Sequence, residues 1–225
     1  MLYALAHPLS LVILLASFVV GLTLHGWVQA LLADRLGERA PRAERRLRPD
    51  PRRQLDPFGC VSAAVSGLGW ARPVEFPDRR RKAALVSVVL VGPLLNLALG
   101  AGALVAYGLL YDAPVGGAAL VLQRGLAIPA GRLAPAALAL TGLSQLYLGV
   151  LSLVPLPPLD GGRLLFGLAP RTLGWQKAEH QLIERNIGVA VLLALLLFPL
   201  GGPLPLLPTV LDTVLGPLVR LLTGG

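Results

Sequence analysis

The sequence is poor in charge, cysteine and aromatic side chains, and each shortage excludes a class of protein. Charged residues make up only 14% of its 225 residues, against about 25% in soluble domains, which excludes a soluble enzyme. Cys60 is the only cysteine, so a scaffold of internal disulfides is excluded. Aromatic residues amount to 5%, too few for a surface that stacks nucleic-acid bases. The remaining apolar chain, of mean hydropathy +0.70, predicts a multi-pass membrane protein.

Positive charge is gathered in the connections between apolar runs. Lysine and arginine total 20 against 12 acidic residues, a formal net charge of +8. Eight arginines fall within residues 35–53, and further groups lie within residues 72–82 and 163–185. By the positive-inside rule, these connections are expected to face the cytoplasm. Residues 35–53 also contain acidic side chains and no aromatic ones, so we interpret them as a solvated surface segment and expect no nucleic-acid partner.

Long apolar runs predict the spans. They are residues 7–33, 84–110, 134–156, 188–200 and 204–222. Residues 59–71 are too short to cross a bilayer and are expected to be re-entrant or interfacial, and residues 112–133 are expected to form an external loop. The predicted fold is an all-α membrane protein, a multi-pass helical bundle of about five to six spans. It has broken or re-entrant segments and a short irregular or strand-like insertion after the first span. One membrane-embedded domain is expected over residues 1–225.

Three polar residues stand in apolar surroundings. His25 and Gln29 lie in the first run, and their spacing of four residues puts both side chains on one helix face. Asp160 follows a proline-rich break and precedes two glycines. An ionisable residue at membrane depth indicates a functional site, and a carboxylate in such a break can ligate a metal. Alternatively, the His25–Gln29 pair ties helices together, and Asp160 caps the helix that follows it.

Four short segments form an ordered set of motifs. They are residues 55–59 (Leu-Asp-Pro-Phe-Gly), 69–74 (Gly-Trp-Ala-Arg-Pro-Val), 92–96 (Gly-Pro-Leu-Leu-Asn) and 154–163 (Val-Pro-Leu-Pro-Pro-Leu-Asp-Gly-Gly-Arg). Together with His25 they resemble the site-2 proteases, a family of intramembrane zinc metalloproteases, in its short bacterial branch without a PDZ insertion. The last string is specific to that family, and the resemblance runs from His25 to Arg171.

The resemblance implies a zinc site made by His-Glu-x-x-His in the first span and by the aspartate of the last motif. Two histidines and a carboxylate hold the ion, and the glutamate takes a proton from its bound water. Here His25 and Asp160 match, but Gly26 replaces the general base and Gln29 replaces the second histidine. Gln54 also stands at a position that is often histidine. A neutral amide is a poor zinc ligand, so zinc binding by His25, Gln29 and Asp160 is expected to be weak or absent.

The resemblance also implies that Asn96 and Ser152 bind substrate. The first functional hypothesis is therefore a pseudoprotease of the bacterial inner membrane, which binds a transmembrane or juxtamembrane peptide client within the lipid bilayer without cutting it. The first alternative is an active intramembrane metalloprotease with an unconventional zinc site. The second is a small structural or transport-like membrane protein in which His25, Gln29 and Asp160 line a polar path.

Overall fold

Helices provide the regular structure of the described residues. The computed structural model describes residues 2–74, 82–111, 121–122, 124–199 and 205–223. Apart from one isolated antiparallel bridge, between Leu55 and Ala71, these residues form no strand pairing, which confirms the all-α fold class. The helices are a 3-10 turn Leu2–Ala6, α1 Pro8–Arg35, α2 Ala40–Ala43, α3 Pro51–Gln54, α4 Pro57–Ser66, α5 Lys82–Leu110, α6 Leu133–Ser152, α7 Asp160–Leu168, α8 Leu173–Glu179, a π-helical turn His180–Glu184, α9 Ile187–Leu197 and α10 Leu206–Thr223.

Four helices are long and apolar enough to cross a membrane, namely α1, α5, α6 and α10. At 1.5 Å per residue, the 28 residues of α1 rise roughly 42 Å, more than the roughly 30 Å of the hydrocarbon core. Leu173–Glu184 and Ile187–Leu197 make a fifth candidate only as a pair, bent by 66° at the break between them. The described part of the chain therefore contains four to five candidate spans, where five to six were predicted.

The bundle is built around α5 and α6, and α1 packs against both. Glycines allow α5 and α6 to approach closely. A Cβ atom at Gly100 would lie 2.5 Å from the Leu146 backbone nitrogen, and one at Gly142 would lie 2.7 Å from Leu104 Cγ. Both positions therefore need a residue without a side chain, as in other close contacts between membrane helices. Fully buried leucines fill the core beside them, including Leu14, Leu22, Leu104, Leu143 and Leu146.

The segment after α1 is folded against the residues that follow α4. It contains the short helices α2 and α3. The bridge between Leu55 and Ala71 is extended by a backbone bond in which the Arg72 N–H donates to the Gln54 carbonyl at 2.7 Å. This short pairing is the strand-like part of the predicted insertion.

α4, Pro57–Ser66, overlaps residues 59–71, the piece that was predicted to be re-entrant or interfacial. It is ten residues long, too short to cross a bilayer. The Asp56 carboxylate caps its start by accepting from the Gly59 N–H at 2.9 Å. Gly67 ends it with a φ of 83°, a conformation that favours glycine. Of the predicted external loop, residues 112–120 and 123 lie outside the described residues, and the single domain stays a prediction.

A sharp reversal between α6 and α7 places Asp160 inside the bundle. The chain folds back so closely that a Cβ atom at Gly161 would lie 2.1 Å from the Leu153 carbonyl oxygen. One at Gly162 would lie 2.3 Å from the Pro157 nitrogen. The two glycines after Asp160 are therefore required by backbone contact. Asp160 becomes the first residue of α7, where it is 7% exposed.

Candidate functional site

The structure brings His25, Gln29 and Asp160 into one buried cluster. The His25 Nε2 and Asp160 Oδ2 atoms are 2.7 Å apart, and Gln29 Nε2 donates to Asp160 Oδ1 at 2.9 Å. His25 and Gln29 are each 1% exposed, so these bonds form away from bulk solvent. Leu159, and not Asp160, occupies the N-cap position of α7. The alternative interpretation of Asp160 as a helix cap is therefore wrong.

Gln29 makes a second hydrogen bond, and a proline explains why. Pro93 lies inside α5 and has no N–H, so the carbonyl of Val89, four residues earlier, lacks its helical donor. Gln29 Nε2 donates to that carbonyl at 3.1 Å. Both N–H groups of the amide thus point at acceptors, one on α5 and one on α7. Gln29 ties α1 to two other helices, and it faces Asp160 as a donor.

The side-chain atoms that this cluster offers do not fit a zinc ion. A catalytic zinc site takes three protein ligands that offer lone pairs, whereas Gln29 offers N–H groups. The Asp160 oxygens already accept from Gln29 and face His25, and Arg163 Nη1 lies 3.5 Å from Oδ1. Within the described ranges, no three His, Cys, Asp or Glu side chains are placed to hold a metal ion. Weak metal binding by His25, Gln29 and Asp160 stays a prediction.

Gln54 and Arg46 fill the space beside Gly26. A Cβ atom at Gly26 would lie 2.8 Å from Gln54 Oε1 and 3.5 Å from Arg46 Nη2. Gln54 is held in this position, because Arg46 donates to its Oε1 from Nε at 3.1 Å and from Nη2 at 3.0 Å. The Gln54 amide nitrogen donates in turn to the Arg46 carbonyl at 2.8 Å. The space where the resemblance puts a general base is therefore occupied by these two side chains.

Arg46 corrects the interpretation of residues 35–53 as a solvated segment. It is only 2% exposed, and it donates to the carbonyls of Pro73 and Arg72, both at 2.8 Å. Burial lowers the pKa of Arg46 to about 10, against the attraction of Glu44, so the guanidinium still carries its charge at neutral pH. Nothing in the local sequence distinguishes Arg46 from the arginines around it, so sequence reasoning missed its role.

The two residues predicted to bind substrate differ in their surroundings. Asn96 is fully buried, and neither its Nδ2 nor its Oδ1 has a hydrogen-bond partner among the described residues. The Ser152 hydroxyl donates to the Leu148 carbonyl of its own helix at 2.8 Å. A Cβ atom at Gly92 would lie 2.6 Å from the His25 ring, so α5 closes against His25 at this point. Asn96 follows about one helical turn further along α5.

The chain is similar to YwhC of Bacillus subtilis (strain 168), whose name describes a candidate zinc metalloprotease. The two are 32% identical over 209 residues, which cover 87% of this chain and 85% of the relative. The similarity therefore extends over nearly the whole length of both proteins. No family model matches the chain, and no solved structure matches it.

Proposed function

The chain belongs to the site-2 protease family of zinc metalloproteases, and from that premise we propose that it is a member without proteolytic activity that binds transmembrane or juxtamembrane peptides. The observation that carries this proposal is the hydrogen-bonded cluster of His25, Gln29 and Asp160, in which Gln29 meets the carboxylate as a donor. In members with the full motif, zinc polarises the scissile carbonyl and activates a water. This chain offers one imidazole and one carboxylate for that ion.

The missing general base supports the same conclusion. Gly26 has no group that accepts a proton, and losing a general base alone costs about 10²–10⁴-fold in rate. A glutamate at this position would also have to displace Gln54 Oε1, which lies 2.8 Å from its first side-chain atom. Other side chains therefore occupy the position of the general base. This is expected if the role of the cluster is to hold helices together.

Zinc content and proteolysis test the loss of activity. We expect the detergent-solubilised chain to carry zinc at background level by plasma mass spectrometry, whether or not Asp160 is replaced by alanine. We also expect it to leave a single-span model peptide intact with or without a chelator. Near-stoichiometric zinc that disappears in Asp160→Ala, together with chelator-sensitive cleavage, would instead support the active metalloprotease with an unconventional site.

Asn96 supports the peptide-binding part of the proposal. Its amide has a donor and an acceptor without partners, and an extended peptide backbone offers one of each. Leaving buried polar groups unpaired costs about 1–3 kcal/mol, and polar groups retained inside a membrane protein mark functional positions. We place the protein in the bacterial inner membrane, with its arginine-rich connections on the cytoplasmic side.

The variant Asn96→Leu is expected to separate peptide binding from stability. Leucine has a similar size and removes the two unpaired polar atoms, so the melting temperature in detergent should rise by about 2–6 °C. Because the same amide is proposed to pair with the client, affinity for a fluorescent single-span peptide in nanodiscs should fall by about fivefold or more. Fluorescence anisotropy measures that affinity.

The control for this experiment is Ser87→Ala, also on α5. Among the described residues, the Ser87 hydroxyl donates to the Ala83 carbonyl of its own helix, so both melting temperature and peptide affinity should stay near those of the wild type. A lower melting temperature in Asn96→Leu would mean that the amide is paired in the fold. An unchanged peptide affinity would mean that Asn96 does not contribute to peptide binding.

A further inference from the structure

An arginine-lined cavity of about 450 Å³ lies in the segment after α1. It shares no residue with the cluster of His25, Gln29 and Asp160, and Leu47 supplies its apolar contact. The lining residues are Arg42, Arg45, Leu47, Arg48, Asp50 and Arg53. Four arginines and one aspartate therefore line the same space.

Two of these arginines are fixed by ion pairs. Arg42 donates from Nε and Nη2 to the two carboxylate oxygens of Asp34, at 3.1 and 2.9 Å. Arg53 Nε lies 3.3 Å from Asp50 Oδ2, and its Nη1 donates to the Glu44 carbonyl at 3.0 Å. Such bidentate and charge-assisted contacts hold a guanidinium in a defined orientation. Two of the four lining arginines thus have an orientation that is set before any ligand arrives.

The other two arginines have no ion-pair partner in the described part of the chain. Arg45 and Arg48 line the cavity, and Arg45 has a φ of 55°, a left-handed conformation that is unfavourable for a residue other than glycine. Like charges that converge on one space repel each other. An anion in the cavity would offset that repulsion and would pair both guanidinium groups.

The cavity is held beside the end of a membrane span. Arg42 pairs with Asp34, in the last turn of α1. Trp27, also on α1, donates from Nε1 to the Leu47 carbonyl at 3.0 Å. Because α1 ends at Arg35 with a cation-rich connection after it, the positive-inside rule predicts that the cavity lies near the lipid headgroups of the cytoplasmic leaflet.

We infer that this cavity binds a phosphate group, which the headgroup of an anionic phospholipid at the cytoplasmic surface presents to Arg45 and Arg48. The planar guanidinium fork matches phosphate oxygens in geometry and in charge. Free phosphate ions offer the same chemistry from the aqueous side. This inference goes beyond the proposed function, because it requires neither a peptide client nor the loss of proteolysis.

Binding of short-chain lipids tests the site in the intact chain. In a neutral detergent at physiological salt, wild type is expected to bind dihexanoyl phosphatidylglycerol about tenfold or more tightly than dihexanoyl phosphatidylcholine. The double variant Arg45→Gln/Arg48→Gln should lose this preference. Isothermal titration calorimetry measures the affinities, and inorganic phosphate is titrated separately as the free source.

The matched control is Arg39→Gln/Arg52→Gln, which removes the same charge from the same segment. Arg39 and Arg52 are exposed and do not line the cavity, so this variant should keep the lipid preference. Phosphate that binds as tightly as phosphatidylglycerol would assign the site to the free ion. If both double variants lost the lipid preference equally, the effect would be general charge attraction, and the proposed site would be overturned. A wild type that shows no lipid preference would also overturn it.

Discussion

Replacing Asp160 with alanine is expected to lower the free energy of unfolding by about 3–5 kcal/mol. The substitution removes the only carboxylate that meets His25 and Gln29 within the described cluster, and it leaves both side chains buried without that partner. Asp160→Asn is expected to cost far less, about 1–2 kcal/mol. Its Oδ1 can accept from Gln29, and its Nδ2 can donate to His25 Nε2. Titration with dodecyl sulfate in mixed micelles measures both losses.

The contrast between these two variants distinguishes a helix-binding cluster from a metal site. If the cluster held zinc, an amide would be as poor a ligand as no side chain, so Asp160→Asn and Asp160→Ala would be destabilised alike. Asp56→Ala controls for the loss of a carboxylate that only caps a helix, and it should cost about 1 kcal/mol. Equal losses in the two Asp160 variants would contradict the hydrogen-bonded cluster.

Most spans were predictable from the sequence because a bilayer demands an uninterrupted apolar segment. The run 84–110 corresponds to α5, Lys82–Leu110, and the run 7–33 corresponds to α1, Pro8–Arg35. The run 188–200 was less informative. Its helix, α9, has only 11 residues and reaches the length of a span only together with the bent segment before it. A break of that kind depends on packing, which hydropathy does not record.

The sequence predicted that the residues of the cluster lie close together, but it did not predict the hydrogen bonds between them. Family motifs placed His25 and Asp160 together across 135 positions. They did not predict the role of Gln29, because its second acceptor is a carbonyl that Pro93 frees on another helix. Arg46 was beyond prediction for the same reason, since its acceptors lie 26 and 27 positions away. Long-range polar contacts leave no periodic signal in the sequence.

The variant Arg46→Ala is expected to cost about 3–5 kcal/mol and to release the segment after α1. Arg46 donates to Gln54 Oε1 and to the carbonyls of Arg72 and Pro73. Its removal leaves the buried Gln54 oxygen and the two part-buried carbonyls without this donor. Residues 36–56 should then be cut by trypsin at concentrations that leave the wild type intact. Limited proteolysis in detergent measures the release, and dodecyl sulfate titration measures the loss of stability.

Two further substitutions show whether the geometry of Arg46 is what matters. Arg46→Lys keeps the charge but loses the planar fork, so its cost should lie between those of wild type and Arg46→Ala. Arg39→Ala, at an exposed position of the same segment, should change stability by less than about 0.5 kcal/mol. If Arg46→Ala behaved like Arg39→Ala, Gln54 would not be held in place by Arg46. The space beside Gly26 would then be open to a side chain, and the packing argument against a general base there would fail.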